Sequence, residues 1–238
     1  MVVNVTLLQV EEAVFGRTPE SDDAEGEPMA PPRRARDPGV TAEVILETAT
    51  SLLELDGAKA LTMRNLADQL GVAVTSIYWH IGGRDQLLDS LVERLLSELA
   101  NLPADGDTPV ERIASLARSQ RRVLIDRQHL LGIAHERNRT PQLFLPVQRA
   151  LAAYLAELGV TGTDSALRLR AIQVHVISSA VMQFSAVRGA KHDEEDPTLW
   201  ADAWPDQALV AALQAPTDYD AIFEYGLDAL LATLSRSD

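Results

Sequence analysis

Leu61-Thr-Met-Arg-Asn-Leu-Ala-Asp-Gln-Leu-Gly71-Val-Ala-Val-Thr75-Ser-Ile-Tyr-Trp-His80 is the stretch that decides how this chain is read. Its apolar spacing predicts two short helices, about 62–70 and 74–80, joined at Gly71. A residue without Cβ takes the left-handed conformation there at little cost. Leu66, Ala67, Leu70, Val72, Ile77 and Ile81 form the inner face, and the small Ala67 lets the two helices cross closely. Val74, Thr75, Ser76, Tyr78, Trp79 and His80 are then left largely unspent by packing. An ordinary hairpin in a helical bundle has the same periodicity, but three large polar-tipped side chains in a row are costly on a surface without a partner. A second helix of this kind fits a DNA major groove and reads base edges, while the first crosses the backbone.

The flanks are helical too. Thr41 reads as an N-cap ahead of the stripe Val44, Ile45, Thr48, Ala49, Leu52 and Leu53, which ends before Asp56-Gly57. Arg84 to Ala100 is amphipathic, with Leu87, Leu88, Leu91, Leu95 and Leu99 inward. Thr108-Pro109-Val110-Glu111 combines a cap, proline at the first helical position and a capping-box glutamate, and predicts a helix to about Asp126 with a short piece to about Glu136. Further helices are predicted from Thr140-Pro141 to about Leu158, from a Thr163 cap to about Val187, around Asp206 to Gln214, and from Thr217 to about Leu234. No segment reads as a paired strand, so the fold expected is all-α. Residues 1–39 read as a disordered extension, rich in Pro, Gly, Asp and Glu. Arg33, Arg34 and Arg36 end it, as a solvated linker or as a basic arm for a DNA groove. The domains expected are this extension, a reading head over 40–86 and a larger body over 87–238.

Composition narrows the function class. The 238 residues are 46% hydrophobic and contain no cysteine, which excludes disulfides and thiolate metal sites and agrees with a reducing cytoplasm. No secretory signal is visible, and the longest uncharged run, Ala171 to Val187, is too short and too polar to span a bilayer. The net charge of −14 weighs against non-specific DNA binding, yet Thr62 to Arg84 carries Arg64 and Arg84 against Asp68 alone, with His80 beside them. Enzyme chemistry finds no constellation. His80, His129, His135, His175 and His192 include no i, i+4 metal pair, no strand feeds a phosphate loop, and Asp193 to Asp196 reads as a solvated loop. No cofactor, metal or membrane partner is expected.

The segment from about Val40 to Glu93 resembles the TetR family of repressors. The features that carry the match are the opening helix, Leu61-Thr62 with Arg64, Leu66-Ala67, Leu70-Gly71-Val72, Tyr78-Trp79-His80, then Arg84 and Leu87-Leu88. The Tyr-Trp-His triplet is similar to the tetracycline-repressor branch. The resemblance implies that Thr62 binds phosphate, that Arg64 meets a base edge or phosphate, and that Val74, Thr75 and Ser76 sit at the groove. It implies that Tyr78, Trp79 and His80 contact backbone and bases, and that Arg84 anchors a phosphate. Where the family usually has Lys and Phe, this chain has Arg84 and Ile81, and Gly82-Gly83 implies a looser hinge.

The resemblance also implies that the body dimerises and holds an effector pocket. The residues support this separately. Ala171 to Val187 is apolar nearly all round, and one protomer's bundle covers only one face of such a helix. A twin subunit is the simplest cover, with the last helix (Ile222, Phe223, Leu227, Leu230, Leu231, Leu234) as its neighbour in a four-helix interface. Gln173, His175, Ser178, Met182 and Gln183, grouped with His129, Phe144 and Gln148, are the candidates for pocket lining. The function expected is a repressor that a small-molecule ligand releases from a palindromic operator. The alternatives are a constitutive regulator and a helical protein-binding adaptor.

Overall fold

Thr41 takes an extended backbone, and its hydroxyl accepts the Val44 N–H at 3.3 Å, so α1 (Ala42–Asp56) begins where the sequence places it. The computed structural model describes residues 40–189 and 206–234, and among them every regular element is a helix. The order continues as α2 (Met63–Leu70), α3 (Val74–Ile81), α4 (Arg84–Ala100), α5 (Pro109–Asp126), α6 (Gln128–Glu136), α7 (Thr140–Glu157), α8 (Gly162–Gly189), α9 (Gln207–Gln214) and α10 (Tyr219–Ala232). The extension 1–39 with its arginines, His192 and the loop Lys191 to Pro197 lie outside the described residues.

The predicted capping box opens α5: Glu111 Oε2 accepts the Thr108 N–H at 2.8 Å, and Thr108 Oγ1 accepts the Glu111 N–H at 3.2 Å. Two starts differ from expectation. The helix assigned to a Thr163 cap begins at Gly162, so Thr163 lies in its first turn. The last helix is capped by Asp218, whose carboxylate accepts from both Asp220 and Ala221 N–H, and Thr217 stays outside. Both N–H groups reach the one Asp218 Oδ1, and the carboxylate's charge strengthens each bond at the helix N-terminus. Pro146 lies inside α7 and removes one ladder hydrogen bond.

The chain divides into two compact units: residues up to Ser97 with Arg127–Leu143, and Glu98–Asp126 with everything from Phe144 on. In the first, α1 packs against α2, α3 and α6. Its core holds Ile45, Leu53, Leu66, Ala67, Ile77, Leu91 and Leu95 at zero exposure. Leu88, expected inward with them, is only half-buried, while Val92 is fully buried in its place. Polar ties bind α4 on its outside. Arg94 pairs with Glu43 at 2.6 Å, Arg137 with Asp89 at 2.7 Å and Asp85 at 3.2 Å, and Arg139 with Glu93. Asn138, between the two arginines, sits at φ 57°, a conformation that Asn tolerates better than most residues. The hydrogen bond from Arg137 holds the Asp89 carboxyl below the usual carboxylate range, and hydrogen bonding from Thr108 does the same for Glu111.

In the second unit α8 packs along α5 and α10. The buried Arg121 of α5 joins all three. Its guanidinium donates to Ser179 Oγ at 2.9 Å, to Asp220 Oδ1 at 2.6 Å and to Gln183 Oε1, and lies 4.6 Å over the Phe223 ring. Nearer the surface, Arg118 grips both carboxylate oxygens of Glu224. The Arg121 contacts replace water around a cation only 7% exposed.

Arg121→Met should therefore lower the unfolding free energy in urea by about 2–4 kcal/mol. Arg94→Met, which loses only exposed pairs, should cost no more than about 1 kcal/mol. Asp89 and Glu111 bind protons less readily folded than unfolded. Their contribution is present above about pH 4 and disappears as pH falls through the lowered folded values. A melting series from about pH 6 to pH 3 should show a decline that is shallower in Asp89→Asn.

Candidate nucleic-acid interface and ligand site

The reading pair is built by two chain reversals. Thr62 caps α2 through Oγ1, which accepts the Asn65 N–H at 3.1 Å, and Asn65 returns its own amide to Ala60 O at 2.9 Å. Gly71 ends α2 in the left-handed region at φ 66°, as the sequence requires. Its N–H reaches Asp68 O, and the Val72 N–H reaches Ala67 O. Leu66, Ala67 and Ile77 are buried, whereas Leu70, Val72 and Ile81, expected with them, are half-buried at the rim. With α1 covering one side of so small a pair, only its central positions lose all solvent.

At 100° per residue, Thr75 and Trp79 lie on the outer arc of α3 opposite Ile77 and Ile81, flanked by Tyr78 on one side and Ser76 on the other. Tyr78 is 50% exposed and Trp79 63%; Thr75, Thr62 and Arg64 are exposed as well. Ser76, Val74 and His80 are half-buried at the edges of the arc, and the His80 ring meets Trp79 edge-on at 4.7 Å. Arg84, although exposed, is not loose. Its Nη1 donates to Leu61 O at 2.5 Å, which carries a cation from the first residue of α4 to the position just before the Thr62 cap. Two candidates 22 positions apart in sequence thus meet at the N-terminal end of α2.

Gly82-Gly83 is a defined turn rather than a loose hinge. Gly82 stands at φ 87°, ψ −145°, with its N–H on Tyr78 O at 2.9 Å, and the Gly83 N–H is held by Gln86 Oε1 at 2.8 Å. That ψ at positive φ is essentially restricted to glycine.

The pocket candidates divide. His129 belongs to the first unit, where its ring lies against Gly57. In the second unit, Gln148 Nε2 donates to Gln173 Oε1 at 2.8 Å, and Gln173 is buried. Phe144 is buried too. His175 is tied to α10: Nε2 sits 2.8 Å from Phe223 O, the rings stack, and a Cβ on Gly226 would fall 2.3 Å from its Cε1. Ser178 donates back to Val174 O, Gln183 is held by Arg121, and Met182 is 60% exposed. Reading the sequence did not single out Gln120, which is 1% exposed with its amide nitrogen unpartnered. A signal was present, because Gln120 interrupts the apolar stripe Ile113, Ala117 and Leu124 of α5.

Gly82→Ala should lower the melting temperature measurably, at a cost of about 1–3 kcal/mol for forcing a Cβ into this conformation. Gly159→Ala, where φ is 77° but a Cβ would meet no other atom within 4 Å, isolates the backbone term alone.

Two family models match the chain: bacterial regulatory proteins of the tetR family over residues 45–91, and the tetracyclin repressor-like C-terminal domain over 102–237. An HTH-type transcriptional regulator of Saccharopolyspora erythraea is 28% identical over 92% of this chain and 96% of its own length. The class C tetracycline repressor protein of Escherichia coli is 28% identical over 82% and 90%. Among solved structures, the TetR family protein ActR of Streptomyces coelicolor in complex with (S)-DNPA superposes with a TM-score of 0.58 at 27% identity, covering 84% of this chain and 98% of that one. ActR is also solved in complex with actinorhodin, with a TM-score of 0.55 at 25% identity and coverage of 82% and 97%. With the two models spanning both its reading pair and its body, this chain belongs to the TetR family of bacterial regulatory proteins.

Proposed function

We propose that this protein is a DNA-binding transcriptional repressor that acts as a homodimer and is released from a palindromic operator by a small molecule. The observation that carries this reading is the outer arc of α3. Thr75, Tyr78 and Trp79 stay exposed on a helix whose opposite face is locked by Ile77, with Arg64 on α2, Thr62 at its cap and Arg84 at the start of α4. Residues 40–86 act as the reading head and 87–238 as the body. Thr62 has spent an oxygen lone pair on Asn65 N–H and keeps its hydroxyl proton for a phosphate. Arg84 has five N–H donors and uses one on Leu61 O, so the rest serve a phosphate from a fixed position. Val74, Thr75, Ser76, Tyr78, Trp79 and His80 lie in the groove, and Arg64 contacts a base edge or the backbone.

Dimerisation is supported by what a single protomer leaves uncovered. On α8 a stripe of Leu167, Val174 and Met182 is 67%, 51% and 60% exposed, and on α10 Ile222 and Tyr225 are 56% and 82% exposed. The two helices pack on each other. A second copy covers both stripes. Ligand response is supported by the relatives solved with small molecules and by the hydrogen bond from the half-buried Gln148 to the buried Gln173. Ligand and DNA oppose each other when each prefers a different arrangement of the dimer. Among the described residues no helix is long and apolar enough to cross a membrane, and no group of His, Asp and Glu could hold a metal ion.

Selection of bound fragments from genomic DNA should return palindromes whose half-sites lie about one helical turn apart or slightly more. Tyr78→Ala should weaken that operator by more than about 1 kcal/mol with an unchanged melting temperature. Arg84→Ala should weaken all sequences alike and lower the salt slope by about one. Loss of folding in Tyr78→Ala, or failure to retain any DNA at physiological salt, would overturn the proposal. Sedimentation at micromolar concentration should show a dimer, and a monodisperse 25.9 kDa species would remove the palindrome with it.

A further inference from the structure

The outer face of α3 lacks the groups that grip a base edge at two points. In the major groove guanine is read by Arg or Lys, adenine by Asn or Gln, and cytosine by Glu or Asp. From Ala73 to Ile81 the chain contains none of these six residue types. The cations of the reading head stand on the neighbouring helices instead, Arg64 on α2 and Arg84 at the start of α4, where it is fixed to Leu61 O. What α3 turns outward is hydroxyls, methyls and rings. Thr75 is exposed opposite the buried Ile77, with Trp79 one turn further on, and Tyr78 and Ser76 flank them. His80 is half-buried and meets Trp79 edge-on. At the entry to the helix Ala73 is exposed and makes no side-chain cap.

These groups differ in what they can distinguish. A hydroxyl both donates and accepts, so it finds a partner on any base edge and discriminates weakly. A methyl group matches one feature of the major groove, the C5-methyl of thymine. Thr75 presents such a methyl at the position farthest from the core. We infer that Thr75 is a specificity-determining residue whose γ-methyl selects thymine in the operator half-site by contact with the thymine C5-methyl. This deepens the proposed operator binding and rests on it. Backbone anchoring and base choice then fall to different elements, the first to Thr62 and Arg84 and the second to Thr75.

The test uses the full-length dimer and the operator returned by selection from genomic DNA. Deoxyuridine replaces thymidine in that duplex, one symmetry-related pair at a time, which removes a methyl and leaves every hydrogen-bonding group of the base in place. At one pair the wild type should bind about fifteenfold more weakly, the value of one methyl contact in each half-site. The salt slope should not change, because no phosphate contact is lost. Thr75→Ser keeps the hydroxyl and removes the methyl, so it should bind the thymine and uracil duplexes alike at that pair. Thr75→Val keeps a methyl and removes the hydroxyl, so it should still prefer thymine. Melting temperatures of both variants should match the wild type, since Thr75 is exposed. Wild-type affinity that ignores uracil at every position would overturn the inference without recourse to any variant. So would a thymine preference that persists in Thr75→Ser, which would place its origin in the duplex or in another residue, or one that disappears in Thr75→Val, which would assign it to the hydroxyl. A wild type that retains no DNA sinks the repressor proposal and this inference with it, whereas an operator bound equally well with uracil sinks only this one.

Discussion

An eight-residue helix does not persist alone in water, because nucleation costs more than so few hydrogen bonds return. Both α2 and α3 are that short, and the whole reading surface hangs on their burying Leu66, Ala67 and Ile77 together against α1. The constraint is steric as much as apolar. Ala67 has no side chain beyond Cβ to hold the backbones apart, and Gly71 turns the chain through a conformation that most residues resist. Because the inner positions are consumed in this way, the core does not call on the outer arc, where Tyr78 and Trp79 are large and exposed. Position and exposure of the reading residues thus have one cause.

The ends of the pair are treated more firmly than its length suggests. Thr62 and Asn65 close the entry to α2, while Gly82, Gly83 and Gln86 close the passage from α3 to α4. Arg84 then spans from α4 back to Leu61, so a cation that looks detached along the chain is held beside the Thr62 cap. A donor held in place before binding loses less freedom on meeting a phosphate than a free lysine would. This gives a physical sense to an arginine at the start of α4.

The body solves a different problem. Its helices are long enough to be stable through packing, and what must be specified is which faces meet. Arg121 does this by satisfying groups on α8 and α10 at once from α5, and Arg118 repeats the α5–α10 link at the surface with Glu224. The geometry of α8 and α10 is thereby set inside the protomer, and the apolar stripes they leave uncovered are presented in a fixed relation. The interior keeps two amides unspent.

Much of this was legible in the order of the residues. The all-α class, the caps at Thr41 and Thr108, the turn at Gly71 and the candidate face from Val74 to His80 follow from local rules, since caps, periodicity and backbone permissiveness act within a few residues. Charge did not decide the matter, because a net −14 describes the whole chain while the reading pair answers to Arg64, Arg84 and Asp68 nearby. Other features needed the tertiary structure. That Arg84 reaches Leu61, that His175 is spent on Phe223 and Gln183 on Arg121, and that the Gln120 amide nitrogen is buried without a partner all depend on how residues far apart in the chain are brought together. Periodicity shows that a polar residue lies on an inner face but not which neighbour will meet it there. The sequence by itself determined the helices and the face they turn outward, because those are set by each residue's own backbone preferences and spacing. Only the tertiary structure decided which polar groups are satisfied and which are left open, because a hydrogen bond exists only where two particular atoms are brought within reach.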